Sequence, residues 1–165
     1  MLGIDAAERN VAVAERHAHM TGAPAKYRHA LPEDCADQAR GFDVVMSLEV
    51  VEHVSDVPAF LESLGRLVAP GGILLIGTIN RSIRSYAKAI VGAEYVLRWL
   101  PRGTHDWRKF VKPTELEHGL RRHGFSLVER TGVALNPLTM RWGASKDVST
   151  NYLQFHRLNK SEANV

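Results

Sequence analysis

Residues Phe42 to Asn80 read FDVVMSLEVVEHVSDVPAFLESLGRLVAPGGILLIGTIN, and the order of residue types in them decides the fold. Phe42 to Leu48 carries mostly apolar residues on both faces, as a strand buried in a parallel sheet requires. An acidic turn, Glu49 to His53, follows. The apolar residues Val57, Phe60, Leu61, Leu64, Leu67 and Val68 then fall at the spacing of one helix face. Ser55 or Asp56 supplies the N-cap, and Pro58 sits in the first turn, where a missing N–H is harmless. Pro70-Gly71-Gly72 stops the helix, and Ile73 to Ile79 reads as a second buried strand. Strand, helix and strand in this rhythm predict a parallel crossover, hence an α/β fold.

Outward from this unit, Met1 to Asp5 is an apolar run ending in a carboxylate, followed by helical composition to about Met20. Ala25 to Ala30 is a weaker strand and Glu33 to Arg40 a short helical connection. Toward the C-terminus, Pro113 opens an amphipathic helix through Leu116 and Leu120 that Gly124 closes. Phe125 to Val133 and Asn151 to Leu158 read as an antiparallel strand pair, joined by an irregular loop containing Asn136-Pro137 and Gly143. The tail from Asn159 to Val165 is polar.

A chain of 165 residues with 45% apolar content suits one globular domain. Its single cysteine, Cys35, excludes an internal disulfide and favours a reducing compartment. Asp5, Glu8, Arg9 and Glu15 interrupt any signal-peptide core, and no apolar run approaches the roughly 20 residues of a membrane span. Net charge is +3, unevenly placed. Between Arg81 and Lys112, eight basic residues stand against Glu94 and Asp106, a local balance of +6 that leaves the remainder at −3.

In open parallel α/β sheets, ligands bind beyond the carboxyl ends of the strands. Asp5 stands at one such end, where a carboxylate can accept both ribose hydroxyls of an adenosine-containing cofactor. The same residue also fits a simple helix cap in the pattern Asp5-x-x-Glu8. Glu49, Glu52 and His53 follow the strand from Phe42 at i, i+3 and i+4, so one helical turn would put all three on a single face. Such a set suits a hard divalent cation, or a general base with orienting neighbours. The plainer alternative has Glu49 touching cofactor, Glu52 solvated and His53 packed beneath the sheet.

Gly3-Ile4-Asp5, Phe42-Asp43-Val44-Val45, Glu49-Val50-Val51-Glu52-His53-Val54 and Leu67-Val68-Ala69-Pro70-Gly71-Gly72 together resemble the later motifs of class I S-adenosylmethionine-dependent methyltransferases. A narrower likeness follows in Thr78-Ile79-Asn80-Arg81, Val91-Gly92-Ala93-Glu94-Tyr95, Pro101-Arg102-Gly103-Thr104-His105-Asp106-Trp107, Phe110-Val111-Lys112-Pro113, Asn136-Pro137 and Asn151-Tyr152. With these the chain resembles the ubiquinone biosynthesis O-methyltransferase family from Leu2 to about His156.

The resemblance implies a Rossmann-like class I sheet, mostly parallel with an antiparallel C-terminal strand pair, and methylation of the hydroxyl of polyprenylated catechol-type intermediates by S-adenosylmethionine. By position, Asp5 would bind the cofactor ribose and Leu48 would contact cofactor. Glu49, Glu52 and His53 would hold Mg²⁺ or another divalent cation, with Glu49 and His53 as the catalytic pair and His53 as general base if no metal binds. Other proteins of the pathway are potential partners. The placement would be peripheral at the inner membrane face, on the cytoplasmic or the mitochondrial matrix side.

A basic segment from 81 to 112, with Ile83, Tyr86, Ala87 and Ile90 on one helical face and Val96, Leu97, Trp99 and Leu100 beyond, suits an anionic bilayer or a cap over the site. No fold motif for nucleic acid accompanies the charge.

The chain departs from the class I pattern in lacking a first strand and its glycine-rich turn, which in that fold precede the Asp-ended strand. It is therefore expected to be an N-terminally incomplete form that binds S-adenosylmethionine weakly alone. Leu2 to Ile4 should stand about one strand's width from Val44, or pair elsewhere. A non-catalytic membrane-binding or assembly module that kept the fold is the competing expectation.

Overall fold

The computed structural model describes residues 1–36, 41–86, 106–136, 139 and 141–160. They form two sheets. In the smaller, β1 (Leu2–Asp5) leads into α1 (Glu8–Thr21) and the chain returns in β2 (Lys26–His29), parallel to β1 with Leu2 opposite Lys26 and Asp5 opposite His29. Gly22, at φ 67, ends α1 in the left-handed conformation that glycine adopts without penalty.

A short helix, α2 (Pro32–Ala36), leads toward β3 (Phe42–Leu48); the remainder of the helical connection expected to Arg40 falls outside the described residues. The larger sheet has the order β3-β4-β7-β5-β6, with β4 (Val68–Ile79), β5 (Phe125–Asn136), β6 (Arg141–Ser145) and β7 (Asn151–Leu158). β3 and β4 are parallel, joined by α3 (Val57–Leu67). β7 pairs antiparallel with both β4 and β5, and β6 adds an antiparallel edge beside β5.

The larger sheet is thus mixed rather than mostly parallel, with β3 and β4 its parallel pair, and its antiparallel part is one strand wider than the expected pair. Arg141 to Ser145 is short and interrupted by Gly143, with only Trp142 and Ala144 apolar, so pairing with residues 132–136 rather than a strong local pattern makes it a strand. Another difference lies at Pro70-Gly71-Gly72, expected to stop the helix. α3 has already ended at Leu67, and the triplet lies inside β4, where Gly71 takes φ 82 beside a register shift between Phe42 and Val44.

α3 forms for the reasons its sequence suggests. Asp56 Oδ1 accepts the Ala59 N–H at 3.0 Å, a proline stands in the first turn, and Phe60, Leu61, Leu64 and Leu67 are buried. Past the single turn α4 (Ile83–Ser85) comes α5 (Pro113–Arg121), which buries Leu116 and Leu120 completely and with α3 covers one face of the larger sheet. On that face Leu74, Ile76 and Thr78 of β4 stand opposite His156, Gln154 and Tyr152 of β7, all six essentially without exposure. Gln154 donates to the Pro113 carbonyl at 2.9 Å and Tyr152 to the Val111 carbonyl at 3.0 Å, tying the start of α5 and the residues before it to the sheet.

The opposite face is bare along β3. Phe42, Val44, Met46 and Leu48, alternate residues of one row, are all exposed, Met46 by 61%. β1 pairs with β2 and β3 with β4, so β1 and β3 do not meet, as expected for a pair not directly bonded. What joins the two sheets is side-chain packing: Ile4 and Ala30 rest against the main core, which includes buried Cys35.

Candidate active site

β1 ends at Asp5, and the chain turns at once. Asp5 Oδ1 accepts the Ala7 N–H at 2.7 Å, and the Asn10 side-chain amide reaches both carboxylate oxygens at 3.2 Å. The carboxylate therefore anchors the start of α1, whose N-cap Ala7 has no side-chain oxygen of its own. The partners are Ala7 and Asn10 rather than the Glu8 of the simple capping pattern. An ionised carboxylate offers about four acceptor sites, so the three bonds leave room for one incoming hydroxyl.

Beyond β3 the backbone takes an unusual course. Glu49 adopts φ 54, the left-handed region that a glutamate enters only at a cost of about 1 kcal/mol or more. Its N–H donates to the Gly77 carbonyl at 2.9 Å, which holds the turn against the end of β4. The one-face helical turn expected for Glu49, Glu52 and His53 is not formed. Instead the His53 N–H donates to the Val50 carbonyl at 2.8 Å, a tight turn that drives Val51 into the core and divides the three side chains. Glu52 is buried and accepts from Thr78 Oγ1 at 2.8 Å, while His53 is exposed. Both placements also overturn the alternative of a solvated Glu52 and a packed His53.

Glu49 and Glu52 do meet. Burial first, then repulsion from the Glu52 carboxylate and a hydrogen bond to it, push Glu49 up to about 7. The residue as a whole is exposed, so this burial concerns the carboxyl end that faces Glu52. Two facing carboxyls whose charges repel are a donor set that a hard divalent cation would neutralise. Among the described residues, no group of three or more His, Cys, Asp or Glu side chains is arranged to hold a metal ion, so the fit rests on the carboxyl pair and His53 stands apart.

Leu48 is half exposed at the tip of β3, on the bare face. Gly77 opposite it explains the closeness: a Cβ there would lie 2.9 Å from Leu48 Cδ2 and 2.6 Å from Leu153 Cδ2. After β4, Asn80 and Ser82 bond to the carbonyls of Val148 and Ser149, and Trp107 Nε1 donates to the Ser82 carbonyl at 3.0 Å. Tyr86 meets Trp107 edge to face with ring centroids 6.3 Å apart, and Ile83 is 85% exposed. Residues 87–105, which carry Ala87, Ile90 and the Val96-Leu97-Trp99-Leu100 cluster, lie outside the described residues.

Sequence reasoning gave no role to Asn10, Gly77 or Thr78, each of which sets the position of a candidate residue. Two of them stand in the last residues of a strand, the place where ligand-binding loops begin.

A family model for the methyltransferase domain matches residues 1–130. The chain belongs to that methyltransferase-domain family. The domain is 48% identical over 153 residues to the ubiquinone biosynthesis O-methyltransferase of Mesorhizobium japonicum, covering 93% of this chain and 61% of the relative. To the protein of that name from Chelativorans it is 44% identical over 165 residues, covering 100% of this chain and 65% of the relative. The chain thus spans about three-fifths of the length of the curated relatives it matches. Among solved structures, the domain is similar to magnesium protoporphyrin IX methyltransferase from Synechocystis with bound SAH, at TM-score 0.61 and 16% identity over 94% of this chain and 62% of that one. It is also similar to the N-methyltransferase NodS of Bradyrhizobium japonicum in complex with S-adenosyl-L-homocysteine, at TM-score 0.59 and 17% identity over 95% of this chain and 65% of that one. These two show the fold alone. No helix among the described residues is long and apolar enough to cross a membrane.

Proposed function

We propose that this domain serves an S-adenosylmethionine-dependent O-methyltransferase acting on polyprenylated catechols of ubiquinone biosynthesis. The observation that carries the reading is the 48% identity, over 93% of this chain, to a relative named for that role. In this reading residues 1–165 are a single domain, with 81–112 as a basic insertion. The alternative of a non-catalytic module is disfavoured, since the relatives quoted are named as enzymes.

S-adenosylmethionine supplies an electrophilic methyl group on a sulfonium, and a divalent cation, when bound, favours the ionised form of a catechol. The residues of this chain do the rest. Asp5 accepts a ribose hydroxyl at its open acceptor site, and a second hydroxyl requires the Asn10 amide to release one of its two bonds. Leu48 borders the adenosyl group at the tip of β3. Glu49 and Glu52 would hold the cation, and His53, which stands apart from that pair, would serve as the base. A catechol hydroxyl titrates near 10, as tyrosine does, so it needs a proton acceptor at neutral pH. His53, exposed at the turn, takes that proton, and Glu49, pushed up to about 7 by burial and the Glu52 charge, is a second acceptor only when it holds no cation. Transfer then depends on aligning the oxygen with the methyl carbon.

The exposed Ile83 and Tyr86 beside the basic run support docking of 81–112 on an anionic bilayer, where a polyprenyl substrate resides. That would put the enzyme at the inner face of a membrane, beside other proteins of the pathway.

The test is methyl transfer from labelled S-adenosylmethionine to a prenylated catechol by the full chain, with calorimetry of the cofactor. Asp5→Ala should weaken cofactor binding at least tenfold, and Glu49→Gln should lower kcat with cofactor affinity kept. Unchanged cofactor affinity in Asp5→Ala would remove the ribose role, and absence of transfer to any catechol would end the reading.

A further inference from the structure

The acidic turn after β3 is held by the end of β4 at two successive residues. Gly77 accepts the Glu49 N–H at 2.9 Å, and Thr78 Oγ1 donates to Glu52 Oε2 at 2.8 Å. The first contact is a main-chain carbonyl in the plane of the sheet and the second a side chain on its helix-covered face, so β4 holds the two arms of the turn by two different kinds of group. Thr78 has no exposure and Glu52 has 3%, so this bond lies in dry surroundings. A β-branched side chain has few rotamers, which fixes the direction in which the hydroxyl points.

A purely structural role does not account for the pair. The other β4 residues buried on the same face, Leu74 and Ile76, are aliphatic and fill their places without any desolvation cost. A buried glutamate and threonine at the next position are harder to keep than two apolar residues of the same volume. Their value lies in where they aim the carboxylate. With Oε2 held by Thr78, Glu52 cannot swing away from Glu49.

We propose that Thr78 is a positioning residue, whose hydroxyl fixes the Glu52 carboxylate in the orientation that lets it join Glu49 in binding a hard divalent cation. This rests on the cation reading of the Glu49 and Glu52 pair given above. Thr78 touches neither substrate nor cofactor in that arrangement and acts through Glu52.

The experiment titrates Mn²⁺ into the full chain, following free Mn²⁺ by electron paramagnetic resonance, with S-adenosylmethionine affinity measured by calorimetry alongside. Thr78→Val keeps the shape and removes the donor, and it should weaken Mn²⁺ about 10- to 100-fold, the usual effect of losing the hydrogen bond behind a ligand. Thr78→Ser should restore it, and cofactor affinity should not change in either variant. Wild-type Mn²⁺ affinity in Thr78→Val, or a Thr78→Ser as weak as Thr78→Val, overturns the positioning role alone. Equal loss of Mn²⁺ and cofactor in Thr78→Val also overturns it, because the residue would then serve the fold. A wild-type chain that takes up no Mn²⁺ overturns the cation reading itself, a failure visible before any variant is made. If Thr78→Val does not fold, Thr78→Ser against Thr78→Cys decides, because both are small and only serine keeps a strong donor.

Discussion

Acidification should destabilise this domain through one imidazole. His156 lies in the middle of β7 with no exposure, between Leu74 and Leu127 on the neighbouring strands. Its Nε2 meets Gln154 Oε1 at 3.0 Å, and its Nδ1 finds no partner among the described residues. Burial lowers its pKa from the ordinary 6.5 to about 4, with Glu117 working against that shift and Arg130 adding to it. Below pH 6.5 the unfolded chain binds a proton that the folded chain refuses until about pH 4. Stability therefore falls as pH falls through this window, and it is fully kept above it. The whole effect is about 3 kcal/mol, at about 1.4 kcal/mol per pKa unit.

Urea unfolding at pH 7.5, 6.5, 5.5 and 4.5, for wild type and His156→Leu, would measure the effect. The variant should be weaker at pH 7.5 by about 1–3 kcal/mol, because the buried Gln154 Oε1 loses its donor while the amide keeps the Pro113 carbonyl. Between pH 6.5 and 4.5 it should lose less stability per pH unit than wild type, by up to about 1.4 kcal/mol. Other carboxylates titrate equally in both proteins and cancel in the difference. Parallel pH curves would refute the argument, since they would mean that His156 takes up its proton as readily folded as unfolded.

Gly77→Ala should cost about 1–3 kcal/mol, read as a lowered Tm, because the new methyl would press on Leu153 and Leu48; cofactor affinity should fall with it. Glu49→Gly should relieve the positive φ and leave stability equal or higher by up to about 1 kcal/mol, while methyl transfer is lost. A lower Tm would show that the carboxyl contacts outweigh the backbone strain. Met46→Lys, placed in the bare row on an edge strand, should reduce concentration-dependent association in analytical ultracentrifugation and leave the circular dichroism unchanged.

The unit from Phe42 to Ile79 was legible in sequence because each of its signals is local: apolar runs, an aspartate cap and a heptad-like stripe. Leu116 and Leu120 were legible for the same reason. What escaped depends on distant residues. β6 exists only through pairing with residues 132–136, and the Thr78 to Glu52 bond joins positions 26 apart. The turn after β3 has helical spacing but cannot be a helix, because Glu49 is held at positive φ by a carbonyl on another strand. No propensity of glutamate announces that. Asp5 was legible as a strand-end carboxylate, whereas its clamp by Asn10 requires the turn to be built first.

The division into two hydrogen-bonded ladders has a consequence for how the molecule breathes. The smaller sheet, β1 and β2, is fastened to the rest by apolar contacts such as those of Ile4 and Ala30, and those yield without any strand being unzipped. Its amides should therefore exchange with deuterium well ahead of those of β4 and β7, as a separate cooperative unit. A ligand spanning Asp5 and the Glu49 turn would stitch the units together, and the slowing of exchange in β1 on its addition would report that union.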